Sequence, residues 1–271
     1  MLNVIISHDV DHLTPWEHKK DLIVPKFILR AIIEYSTGHI SFKEFYLRWK
    51  SLFNNKWQNL QELMDFDKSN QIPSTFFVAL NSGSGLSYDQ KQAKHWIEKI
   101  IQNGFDIGVH GIEYRNFSKI KRELDVFKGI TGMSEIGIRI HYMKMEDYTL
   151  GLLQDAGYMF DSSIYGLKDC FRYNKIWEFP LHIMDRMVIF FKRKWLSEPW
   201  DTIMKRTYSI IDLATEENIR YLTVLFHDYY FNDMFSTWKR WYEDLIEYLK
   251  NREARFLDYK TAIRELEGMR T

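Results

Sequence analysis

Four ionisable side chains fall within five positions near the start of the chain, His8-Asp9-Val10-Asp11-His12, directly after the apolar run 3–7. Three other apolar runs end in the same way. His110, with Glu113 and Tyr114 after it, follows 105–109; Arg139, His141 and Tyr142 lie in "GIRIHY" (137–142); His227-Asp228 closes "YLTVLFH" (221–227). Neutral imidazole and carboxylate together can hold Zn²⁺ with positions left open, where bound water has its pKa lowered toward about 7. A free carboxylate beside such a site can take the proton of that water, and a separate His can protonate a leaving group. In a strand-end turn Asp9 and Asp11 can point the same way, with Val10 turned into the barrel, so that one ligates and the other is the base.

Elements must bring these residues together. Short β-rich runs recur at 3–7, 74–80, 105–110, 137–142, 187–192, 221–227 and 254–259, most of them continuous rather than alternating, as in strands buried on both faces. Helical patterns lie between them at 91–104, 145–158 and 238–251; the first puts Ala93, Trp96, Ile97, Ile100 and Ile101 on one side and stops at Gly104. This alternation predicts an α/β fold with a parallel sheet, either barrel-like or doubly wound. In such folds functional groups gather beyond the carboxyl ends of the strands, so the four clusters converge on one rim. Residues 14–72 break the rhythm with a long aromatic helical stretch, an excursion between the first two strands. No repeat or linker divides the chain, which reads as one domain over 1–271.

Each piece alone has a plainer explanation. An Asp after a strand is often a helix N-cap. His8 and His12 are open to structural or chemical roles, whereas His18, His39, His95 and His182 read as structural. The single cysteine, Cys170, excludes an intramolecular disulfide and a Cys-rich zinc module, and "KDCFR" carries no signature of a nucleophile. The loop "NSGSGLS" (81–87) lacks the Lys and spacing of a phosphate-binding loop and reads as a flexible rim loop. Equal numbers of basic and acidic residues, 37 each, give no global attraction to nucleic acid or anionic membrane. Aromatics reach 16%, mostly core filling, with an aromatic-lined sugar groove as the functional reading. No run is long enough for a membrane span, and "MLNVIISHDV" lacks the basic and apolar regions of a signal peptide, so a cytoplasmic location is expected.

The order of these motifs resembles the polysaccharide deacetylase family, the NodB-homology or carbohydrate esterase family four group, over most of the chain. That resemblance implies a distorted (β/α) barrel of about seven parallel strands with a helical insertion at 14–72. "SHDVDH" resembles the first motif, implying Asp9 as base and Asp11 as metal ligand. "STFFV" is similar to the second strand. "IGVHGIEY" matches the first half of the His-x-x-x-His metal motif, implying His110 as ligand. "GIRIHY" resembles the third motif, implying that Arg139 orients the catalytic Asp and that Tyr142 serves the oxyanion or substrate. "AGYMFDSSIYG" resembles the family's continuation, and "LTVLFHDYY" its last motif, implying His227 as the acid, tuned by Asp228. Tyr114 stands where the second ligand His belongs. Glu113, His141 and His12 are left to supply a third ligand, with His141 preferred for its place on the rim.

The resemblance implies a zinc or other divalent-metal hydrolase removing an N-acetyl, less readily an O-acetyl, group from a sugar. The expected substrate is an acetylated sugar or sugar-linked carrier, in the building of a bacterial surface polysaccharide such as O-antigen or capsule. Two other classes fit parts of the sequence. The altered metal motif and the aromatics suit a non-catalytic carbohydrate-binding relative. A carboxylate-pair glycosidase would use Asp9 with another acid, although an imidazole-rich rim suits a metal better.

Overall fold

The computed structural model describes residues 2–83, 85–190 and 196–268. Strand β1 (Asn3–Val10) leads into the excursion: a 3₁₀ turn at Pro15–His18, then helices α1 (Ile23–Ser36), α2 (Phe42–Phe53) and α3 (Leu60–Ser69). Alternation follows, with β2 (Thr75–Val78), α4 (Gln90–Gln102), β3 (Asp106–Gly111), α5 (Phe117–Thr131), β4 (Gly137–Ile140) and α6 (Thr149–Ala156). Four short strands come next, β5 (Phe160–Asp161), β6 (Phe171–Tyr173), β7 (Ile176–Glu178) and β8 (Ile183–Met184). The chain ends with α7 (Asp185–Ile189), α8 (Trp200–Glu216), β9 (Leu222–Leu225), α9 (Ser236–Asn251), β10 (Arg255–Phe256) and α10 (Tyr259–Leu266).

Local chemistry sets the helix ends. Ser41 and Asp89 cap α2 and α4 through reciprocal capping boxes with Glu44 and Gln92. Asn116 caps α5, which stops at Gly132 in the left-handed region (φ 69°). The excursion is tied down by Arg48, whose guanidinium bonds Glu34 on α1 and the Met234 carbonyl before α9.

The sheet runs β6-β7-β5-β4-β3-β2-β1-β9-β8, with β10 also on β1, and every pairing is parallel except β6 with β7. Strands β7 and β8 belong to one stretch, 176–184, whose first part pairs with β5 and whose last part pairs with β9. Between them the Leu181 amide bonds the Ile164 carbonyl (2.7 Å) and the His182 amide bonds the Thr223 carbonyl (3.3 Å). This stretch joins the two ends of the curled sheet, so seven strand positions go round the barrel, agreeing with the fold expected from sequence although ten strands are formed in all.

The strand pleat sorts side chains into two layers. Val4, Ile6 and Val10 of β1 pack outward with Ile97 of α4 and Leu124 of α5. Ile5 faces inward with Phe77, Phe160, Phe179 and Tyr259. Inward space is tight: a Cβ on Gly137 would lie 2.0 Å from the Phe160 ring. Two expectations are corrected here. Val10 faces the helical layer, not the barrel interior, because the inward parity of β1 belongs to Ile5, Ser7 and Asp9. The run at 187–192 is not a strand over its described part. Residues 185–189 form α7, and 191–192 lie outside the described residues.

Candidate active site

The inward parity of β1 delivers Ser7, Asp9 and Asp11 toward the carboxyl end of the barrel. Neighbouring β3 and β4 deliver His110, Arg139 and, just past β4, His141. Three donor atoms meet there: His110 Nε2 lies 3.2 Å from Asp11 Oδ1, His141 Nδ1 lies 3.5 Å from the same oxygen, and the two ring nitrogens are 2.9 Å apart. All three residues are buried. His110 Nδ1 sits 3.1 Å from the Arg139 carbonyl. A proton on Nδ1 donates to that carbonyl and leaves the Nε2 lone pair directed at the cluster.

These residues fit a divalent cation. Asp11 Oδ1 is buried with no hydrogen-bond partner, and it faces nitrogens whose lone pairs would repel it unless a proton or metal lies between. Zn–ligand bonds of about 2.0–2.1 Å imply tetrahedral edges of ~3.3 Å, close to the three separations. Electrostatics agree. Burial raises the Asp11 pKa, but the adjacent imidazoles of His110, His227 and His141 hold it well below its ordinary value. Burial lowers His110, yet Asp9 and Asp11 raise it overall.

Asp9 lies one layer deeper, 3% exposed. Its Oδ1 accepts from Arg139 Nη1 at 2.9 Å. The same guanidinium donates to Ser7 Oγ, the Ser162 carbonyl, Ser162 Oγ and Tyr259 Oη, each at 2.9 Å, and its Cζ stacks 4.4 Å over Phe77. An always-charged planar donor fully committed in this way fixes Asp9 in one orientation.

His227 stands across the rim, Nε2 3.7 Å from Asp11 Oδ2. Its tuning partner is Asp185, not Asp228. Both Asp185 oxygens lie 3.0 Å from His227 Nδ1, and one accepts the His227 amide at 2.8 Å. Burial lowers the imidazole, but the Asp185 charge and hydrogen bond, then Asp11 and Asp9, push it up to about 10. Asp228 is fully buried and neither oxygen has a hydrogen-bond partner. Burial, then Asp11, pushes its pKa well above the ordinary carboxylate value. Asp185 escaped sequence reasoning because it is distant in sequence and lies beside the run assigned as a strand.

The remaining candidates separate cleanly. Tyr142 borders the cavity, half exposed, with φ 59°, followed by Met143 at φ 51°. Two consecutive non-glycine residues in the left-handed region are strained, and such strain concentrates at functional sites. Glu113 is not in the triad: one oxygen accepts the amides of Tyr114, Arg115 and Asn116 and organises the turn before α5. Tyr114 packs against the helical-layer core. His8 faces the other side of β1, Nε2 2.9 Å from Asp67 Oδ2 and Nδ1 2.9 Å from the Phe226 carbonyl, which makes it structural. His12 also lies outside the triad, edge-on to His18, and burial pushes its pKa down to about 3. Burial opposes a charge on His18, but Glu17 and Asp21 raise its pKa overall. Cys170 is buried, and burial together with Asp169 pushes its thiol up to about 12, far from nucleophilic.

Asp11, His141 and His227 open into a cavity of about 270 Å³. Helix α1 lays Ile23, Lys26, Phe27 and Arg30 along one side, an i, i+3, i+4, i+7 stripe, so the excursion forms a wall of the site. Arg186, Tyr229 and Tyr230 line other parts of it. Other large aromatics, including Trp241, Tyr242 and Phe226, fill the core. No helix among the described residues is long and apolar enough to cross a membrane.

No protein-family profile and no curated protein matches the chain. Solved structures do. A Mycobacterium smegmatis protein provisionally assigned as a polysaccharide deacetylase superposes with TM-score 0.65 at 13% identity, covering 100% of this chain and 93% of that one. The PuuE allantoinase gives TM-score 0.61 at 12% identity over 97% and 88%. A Bacillus anthracis protein described as a carbohydrate esterase family four pseudoenzyme gives 0.50 at 12% over 96% and 64%. The fold of this chain is therefore that of the NodB-like polysaccharide deacetylases.

Proposed function

We propose that the chain is a metal-dependent hydrolase that removes an N-acetyl, less readily an O-acetyl, group from a sugar. Asp11, His110 and His141 would hold the cation, Zn²⁺ or another divalent ion. The observation that carries the reading is the convergence of these three buried donors, with Asp11 Oδ1 lacking any hydrogen-bond partner. When bound, the cation supplies Lewis-acid polarisation of the scissile carbonyl and of the attacking water.

The chain's own residues divide the remaining work. Asp9, locked by Arg139, accepts the proton of the water that attacks the acetyl carbon. His227, held by Asp185 with Nε2 toward the cavity, gives a proton to the amine nitrogen as the C–N bond breaks, releasing acetate and the free amine. The turn at Tyr142 shapes the wall where the acetyl oxygen would lie. Lys26, Arg30 and Arg186 put three cations beside the cavity. They favour a sugar carrying an anionic group, such as a nucleotide- or lipid-linked sugar of surface polysaccharide assembly in the cytoplasm.

The test is metal content after chelator treatment and re-equilibration with Zn²⁺, read together with acetate release from acetylated sugars. One equivalent of zinc attributable to these three residues, lost in Asp11→Ala and in His110→Ala, with acetate release lost in Asp9→Ala, is the expected result. A protein that takes up no metal at these residues would overturn the hydrolase and leave a carbohydrate-binding relative of the same fold.

A further inference from the structure

The geometry points to a second divalent-cation site, separate from the triad, built by His12, Glu17 and His18 where the excursion leaves β1. One ring nitrogen of each histidine and a carboxylate oxygen of Glu17 lie within 4.8 Å of one another. His18 Nε2 and Glu17 Oε1 are already 3.2 Å apart, close to the ~3.3 Å edge of a tetrahedral zinc site. Two nitrogens here, His12 Nδ1 and His18 Nε2, are buried without a hydrogen-bond partner, and His18 is 2% exposed. Buried polar atoms are rarely left so, and an absent ion is a recognised cause.

The surroundings resemble those of a metal ligand set. His18 Nδ1 sits 2.9 Å from Asp21 Oδ2, which places the proton on Nδ1 and aims the Nε2 lone pair into the cluster. Asp21 is itself fixed by the Ile23 amide at 3.0 Å and by Ser87. Glu17 is held by the amides of Leu13 and Thr14, both at 3.0 Å. The Trp57 ring lies 5.9 Å from His12 and 5.6 Å from His18, an apolar cover over the group. Two imidazoles and one carboxylate suit zinc, with a further position left for water. A proton bridging His18 and Glu17 would satisfy that pair but leave His12 Nδ1 unexplained. Because His12 follows Asp11 directly, a cation here pins the Pro15–His18 turn to the backbone from which Asp11 projects.

Zinc per chain, measured on the whole 271-residue chain after chelator stripping and dialysis against Zn²⁺, tests this, with circular dichroism to check folding. Two equivalents are expected in the unmodified protein, falling to one in Asp11→Ala and to one in His12→Gln and His18→Gln. Zinc retained by Asp11→Ala but lost on further substitution of His18 supports this site even if the triad binds nothing. At most one equivalent in the unmodified protein, abolished by Asp11→Ala, overturns it and leaves the proposed hydrolase standing. Should the His18 variant fail to fold, the melting temperature of Asp11→Ala decides: a zinc-dependent rise supports the second site, and no rise overturns it.

Discussion

Replacing Arg139 by Met removes a fully buried guanidinium with five donated hydrogen bonds. The hydroxyls it served have other partners within reach. Ser162 Oγ and Tyr259 Oη are 3.2 Å apart, Tyr259 Oη and Ser7 Oγ 3.4 Å, and Ser7 Oγ donates to the Val224 carbonyl at 3.1 Å. Asp9 has no such substitute for its ionic partner, because His110 Nδ1 is 3.9 Å away and nearer the Arg139 carbonyl. The dominant cost is thus one buried carboxylate left uncompensated, about 3–5 kcal/mol. Removing that charge as well, in Arg139→Met with Asp9→Leu, should recover most of the loss, because a well-packed apolar pair can replace a buried ion pair at little cost. Urea unfolding of the four members of this cycle, followed by circular dichroism and Trp fluorescence, measures the coupling. A double variant as unstable as Arg139→Met alone would refute the argument, showing that the guanidinium acts through its hydroxyl and carbonyl contacts.

Two further outcomes follow from residues outside the triad. Burial pushes the Glu123 carboxyl from 4.5 to about 7, against the Asn81 hydrogen bond. The folded state then binds this proton more tightly than the unfolded chain, so stability falls as pH rises from about 4.5 through 7. Glu123→Gln should flatten that limb and exceed the unmodified protein at pH 8 by up to about 3 kcal/mol; melting curves between pH 5 and 8 that stay parallel for the two proteins would contradict it. His8→Ala should cost about 2–4 kcal/mol, through the lost ring and its lost hydrogen bond to Asp67, whose Oδ2 keeps only the Ser74 hydroxyl, while leaving zinc content unchanged. A loss of zinc in this variant would place His8 in the chemistry.

Much of the candidate site's placement was legible because it depends on one rule, that parallel strands present functional groups at their carboxyl ends. Asp9, Asp11, His110, Arg139, His141 and His227 all follow from it. Which of two adjacent residues faces inward depends on the pleat, and the pleat is hidden when both faces of a strand are buried. His8 therefore remained open, and Val10 was assigned the wrong face. Strand β5 and strand β8 have two residues each, too short for any period to register. One of the seven expected strands was placed at 187–192, whose described part begins inside a short helix, while the stretch that closes the barrel contains Pro180 and His182 and does not read as a strand. That misplacement also concealed Asp185, whose bond to His227 links positions 42 apart in the chain.

The pairing of β1 with β9 has a consequence for the order in which the protein comes into being. Asp11, His110 and His141 all lie within the first 141 residues, on β3 or just past β1 and β4, so the three proposed cation ligands can come together while the chain is still being made. Asp185 and His227 cannot join it until β9 has emerged, because Ile5 waits for Thr223 and Val4 for Leu222. Closing that seam brings together strands more than two hundred positions apart, a costly encounter that falls late in folding. On the proposed function, a nascent chain would therefore be able to hold a cation before it holds a proton donor, with its chemistry withheld until β9 is in place.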